Sequence, residues 1–102
     1  MLIEVLFMPG CPNHALAVDR IRKILKAQSL DASIQEIAVT EESVARSLRF
    51  GGSPTVRVNG RDLEEEQKQT ALACRLYTGG EGLPSEESLR HAFSAARNGV
   101  TR

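Results

Sequence analysis

The sequence predicts a small α/β domain in the order β-α-β-α-β-β-α, with a four-stranded mixed sheet and helices on both of its faces. Three observations predict it. An apolar run, Leu2 to Met8, stops at Pro9-Gly10 immediately before an amphipathic helix. Asn59-Gly60 joins two strand-like segments. Ser85-Glu86-Glu87 then opens a second amphipathic helix near the end of the chain. At 102 residues the chain suits one domain with a modest core, spanning 1–102.

Taken in order, Leu2 to Met8 is broken only by Glu4, the pattern of a buried central strand. Pro12 follows Cys11 at the favoured first position of a helix. Ala17, Val18, Ile21, Ile24 and Leu25 recur at helical spacing, while Arg20, Arg22, Lys23 and Lys26 face outward and gather toward the C-terminal half. Ala32 to Val39 reads as a second strand. Ile34 lies on one parity and Ile37 and Val39 on the other, which fits a bulge or an edge position. Thr40 is the expected N-cap of a short helix with Glu41 and Glu42 in its first turn and a Val44, Ala45, Leu48 stripe, stopped by Gly51-Gly52.

Thr55 to Val58 alternates, and Asn-Gly after it predicts an antiparallel return from Arg61. Residues 64–83, with three glutamates and Gly79-Gly80-Glu81-Gly82, read as an irregular excursion carrying a short strand or turn around Cys74-Arg75-Leu76-Tyr77. The closing helix is capped by Ser85, buries Leu89, Ala92, Phe93 and Ala96, and stops at Gly99.

Thirteen basic and thirteen acidic side chains balance, so no electrostatic footprint for nucleic acid or an anionic membrane exists. Four aromatic residues and no Trp argue against a base-stacking platform. No apolar run is long enough to span a membrane, and the first residues lack the basic region and cleavage site of a signal peptide. Two cysteines are too few for a disulfide framework. The expectation is a cytoplasmic protein, monomeric or weakly dimeric.

Cys11 carries the chemistry. A thiol attacks as thiolate, and a helix start, with unpaired N–H groups and the positive end of the dipole, favours an anionic sulfur. His14 lies one turn on, where an imidazolium would stabilise thiolate and a neutral ring would carry a proton. The plain alternative makes Cys11 a small buried thiol and His14 a solvated helix residue. Cys74 reads first as a buried residue packing with Leu72 and Leu76. Asp62 and the Glu64 cluster read as a solvated charged turn. Cys11, His14 and Cys74 lack the number and spacing of a structural zinc site, so no metal site is assigned.

The cysteine-proline motif between first strand and first helix, with Gly52-Ser53-Pro54-Thr55 opening the hairpin, resembles the thioredoxin-like superfamily over residues 2–63 and again in the last helix. Gly10-Cys11-Pro12-Asn13-His14 and the later Cys74-Arg75-Leu76-Tyr77 resemble a small bacterial family within it, sometimes labelled as similar to alkylmercury lyase. The resemblance implies a thioredoxin-like fold with Pro54 cis against the cysteine. It implies a thiol–disulfide oxidoreductase with Cys11 as nucleophile, His14 as thiolate stabiliser and Cys74 as a resolving thiol. Pro12, Ser53, Pro54 and Thr55 would form the substrate rest, the Ser53 backbone pairing with an extended ligand by strand addition. The sequence departs from Cys-x-x-Cys, since His14 replaces the second cysteine. A monothiol cycle is therefore expected, resolved by Cys74 or by an external thiol such as glutathione, which is a co-substrate rather than a resident cofactor. Its substrate would be a thiol or disulfide, either a protein or a small molecule. The alternatives are a soft-metal or organomercurial thiol binder and a redox-silent scaffold.

Overall fold

The computed structural model describes residues 1–64, 72–77 and 81–97. Its elements are β1 (Leu2–Phe7), α1 (Pro12–Ala27), β2 (Ser33–Ala38), α2 (Glu42–Leu48), β3 (Thr55–Val58), β4 (Arg61–Asp62) and α3 (Glu86–Arg97). The sheet order is β2-β1-β3-β4, with β1 parallel to β2 and antiparallel to β3, and β3 antiparallel to β4. It is a mixed four-stranded sheet in an α/β domain.

Register explains the two cores. Ile3 faces Val58 and Val5 faces Val56, so four β-branched side chains share one face of the sheet. That face packs on Val18, Ile21, Ile24 and Leu25 of α1 and on Leu89 and Phe93 of α3. Leu6, of opposite parity, meets Val39, Ala45 of α2 and Phe50 on the other face. A strand covered on both sides must be apolar nearly throughout, which is why β1 reads as a continuous run. β2 is an edge strand without a bulge: Ile34 packs against the first core and Ile37 against the second, giving its broken alternation.

At the hairpin, Asn59 (φ 51°) and Gly60 (φ 84°) both take the left-handed conformation that a type I′ turn requires. Asn59 also ties the turn to β1: its N–H donates to Leu2 O (2.7 Å), and its side-chain oxygen accepts from Leu2 N (2.8 Å). Ser85 caps α3 by accepting from Ser88 N at 3.1 Å. Gly79, Gly80 and Gly99 lie outside the described residues.

Several local expectations need correction. The N-cap of α2 is Glu41 rather than Thr40, and its left-handed C-cap is Arg49 (φ 55°) rather than a glycine. The Arg57 guanidinium reaches the carbonyls of Leu48 and Arg49 and satisfies that helix end, so Gly51-Gly52 is released for another use. Val44 is exposed and only Ala45 of the stripe is fully buried, because a two-turn helix covers little of the sheet. Arg20 does not simply face solvent: its guanidinium donates to Pro84 O at 2.8 Å and fastens the approach to α3 onto α1. Among the described residues, no helix is long and apolar enough to cross a membrane.

Candidate functional site

Met8-Pro9-Gly10-Cys11 forms a tight turn in which the Cys11 N–H donates to Met8 O at 3.0 Å and Gly10 has φ +87°. Proline second and a positive-φ glycine third is the pattern of a type II turn, so the sequence itself places Cys11 at the end of β1. Cys11 is the N-cap of α1 in extended conformation (φ −67°, ψ 120°), with Pro12 at the first helical position. Its side chain makes no capping hydrogen bond, and the residue is half-buried. Cys11 therefore stands at the positive end of a 16-residue helix, with part of the residue open to solvent.

His14 makes two contacts that its spacing from Cys11 does not suggest. Its ring stacks on Phe7 with centroids 3.6 Å apart and planes within 8°. Nε2 lies 2.6 Å from Glu36 Oε1, so the ring donates there to the carboxylate. Phe7 and Glu36 reach it because both project from the α1 side of adjacent strands. Among the described residues no hydrogen bond joins the His14 ring to Cys11, and Glu36 was not legible as its partner from sequence.

The Ser53–Pro54 peptide is cis, as the resemblance implied. Ser53, fully buried, sits between two segments. Its Oγ accepts from Met8 N at 3.0 Å, locking it to the turn that carries Cys11. On its other side it forms an isolated parallel bridge with Cys74. Ser53 N donates to Ala73 O (2.8 Å), and Arg75 N donates to Ser53 O (3.0 Å). Two expectations fail here. The Ser53 backbone is not open to a ligand, because the chain's own segment fills both of its hydrogen-bonding positions. Cys74 is exposed rather than buried, and Leu76 beside it is 67 % exposed.

The reason lies in Arg75, which alternation turns to the opposite side of the segment from Cys74. Arg75 is 1 % exposed, and its guanidinium clasps Asp62 through two parallel hydrogen bonds of 2.8 Å. It also donates to Thr55 Oγ1 (3.3 Å) and Glu64 O (3.2 Å), and lies 4.5 Å from the Tyr77 ring centroid. Asp62 is thus a partner of a buried cation, not part of a solvated turn. Burial opposes the Arg75 charge, but the Asp62 hydrogen bonds and the Asp62 and Glu64 charges outweigh it and hold its pKa above the ordinary value. Arg75 Nε has no hydrogen-bond partner among the described residues.

Tyr77 completes the clasp. Its hydroxyl donates to Pro54 O at 2.6 Å, and its N–H donates to Glu81 O at 2.8 Å. Burial pushes its hydroxyl pKa well above the usual value. Gly52 (φ +109°) allows the close approach: a methyl there would lie 2.9 Å from Arg75 Cβ and 3.1 Å from Ala73 O. Thr55 serves this joint too, donating from Oγ1 to Gly52 O at 2.6 Å.

The structure therefore brings Cys11, Ser53, Pro54, Thr55 and Cys74 into one chain of neighbours and directs His14 to Glu36. Pro12 opens α1 beside them and is exposed. Both cysteines are free. Among the described residues no group of three or more His, Cys, Asp or Glu side chains is arranged to hold a metal. Compared with known proteins, the chain matches no family model, no curated protein and no solved structure.

Proposed function

We propose that this chain is a cytoplasmic thioredoxin-like thiol–disulfide oxidoreductase of monothiol type, with Cys11 as nucleophile and Cys74 as resolving thiol. The observation that carries the reading is the position of Ser53, hydrogen-bonded to Met8 on one side and bridged to Cys74 on the other. It joins the segment that carries the exposed Cys74 to the turn that carries Cys11. The helix start supplies the second support, because partial positive charge there favours the attacking anion. Two free thiols also suit a reducing compartment.

In the cycle, the Cys11 thiolate attacks one sulfur of a disulfide RSSR. The S–S bond breaks, a Cys11–S–S–R bond forms, and RS⁻ leaves and takes a proton from solvent. The Cys74 thiolate then attacks the Cys11 sulfur, forming the Cys11–Cys74 disulfide and releasing the second RS⁻. RSSR is reduced to two thiols while the two cysteines are oxidised. An external thiol such as glutathione returns them to the reduced state.

The test uses 2-hydroxyethyl disulfide on folded Cys74→Ser and Cys11→Ser proteins, with intact mass and peptide mapping. The Cys74→Ser protein accumulates a mixed disulfide on Cys11, and the Cys11→Ser protein reacts far more slowly. If Cys11 stays unmodified while folded and reacts once denatured, it is a structural thiol, and the redox-silent scaffold replaces this reading.

A further inference from the structure

We infer that residues 73–77 set the substrate class of Cys11, excluding extended polypeptides and admitting small disulfides; this rests on the redox reading above. An extended peptide gains affinity beside a reactive group by pairing its main chain with an open strand position. Next to the Cys11 turn, that position is Ser53, whose Oγ holds Met8 N. Both of its main-chain groups are already engaged, the N–H by Ala73 O and the C=O by the Arg75 N–H. The chain supplies its own strand where a substrate strand would add.

The occupant is firmly held. Displacing it would break the bidentate pair between Arg75 and Asp62 and the hydrogen bond from Tyr77 to Pro54 O. It would also bring a buried guanidinium out of its site, or leave Asp62 without its cation. The close fit of Arg75 Cβ over Gly52 would be lost as well. A small disulfide needs none of this. It requires only access to the sulfur of the half-buried Cys11 residue and a leaving thiol, with no ladder hydrogen bonds. The segment is therefore a specificity strap, and its Cys74 is the one thiol held in place on that strand.

The experiment measures mixed-disulfide formation on Cys11 in Cys74→Ser protein with two probes. One is 2-hydroxyethyl disulfide; the other is the disulfide dimer of an uncharged extended octapeptide with a central cysteine. Each folded-state rate is divided by the rate on urea-unfolded protein, which removes intrinsic reactivity. The folded protein disfavours the peptide probe by about tenfold or more relative to the small one, because the strap fills the strand position that the peptide main chain would take at Ser53. Asp62→Asn, shown folded by circular dichroism, loosens the strap and returns the peptide ratio toward the unfolded value. Its rate with the small probe changes by no more than about twofold, a difference of only a few tenths of a kcal/mol. Tyr77→Phe, a milder change that keeps the buried ion pair, moves the ratio in the same direction and serves if Asp62→Asn does not fold. Equal normalised rates for both probes on folded protein overturn the strap while leaving the redox reading intact. Undiminished discrimination in a folded variant whose Ser53 amide has lost hydrogen-exchange protection also overturns it. Failure of both probes on folded protein overturns the redox reading itself.

Discussion

Tyr77 is the chain's single tyrosine and there is no tryptophan, so its ionisation can be followed without interference. Burial holds its hydroxyl proton to higher pH than in the unfolded chain, where it leaves near pH 10. Above about pH 10 the unfolded state therefore binds fewer protons than the folded state, and stability falls as pH rises. The expected result is that phenolate absorbance at 295 nm appears together with loss of helical circular dichroism, and not before it. A phenolate signal at pH 10–11 in fully helical protein would show that the Pro54 bond does not hold the group. His14 allows a second prediction. Its ring is occupied by Phe7 and Glu36 rather than bonded to Cys11. His14→Ala should then slow Cys11 thiolation by less than about tenfold, below the 10²–10⁴ typical of a general acid–base group. A loss in that higher range would place the ring on the reacting sulfur.

Among the elements, β1, α1 and the hairpin were legible because local chemistry decides them. Pro9-Gly10 ending the first strand, the proline after Cys11 and Asn59-Gly60 each need only their neighbours. The α2 boundary was misread because its end is satisfied from a distance by Arg57, which no local pattern reveals. The 72–77 segment was opaque for the same reason: Arg75 and Tyr77 find Asp62 and Pro54 across 13 and 23 residues. Arg75 and Tyr77 share one parity and point inward, while Cys74 and Leu76 share the other and are exposed. Gly52 reads as a helix stop in sequence, yet it acts as the seat for Arg75. Gly52→Ala should accordingly cost about 1–3 kcal/mol from backbone conformation alone. For a domain of this size that lowers Tm on the order of 10 °C. An unchanged Tm by calorimetry would mean that Gly52 does not hold its positive φ.

For the whole molecule, the sheet and its two cores hold together turns and segments that are far apart in sequence. Met8, Ser53 and Cys74 belong to three of them, and hydrogen bonds at Ser53 join all three. Cys11 itself was legible as the reactive candidate from its place between strand and helix. The exposure of Cys74 was not, because it depends on Arg75 being drawn inward on the other side. The central claim is that these two thiols act in sequence. The most direct measurement is a time course of wild-type protein with 2-hydroxyethyl disulfide, quenched by acid and mapped by mass spectrometry. A transient mixed disulfide on Cys11 is expected, converting to an intramolecular Cys11–Cys74 bridge. A mixed disulfide on Cys11 that persists as long in wild type as in Cys74→Ser would contradict it.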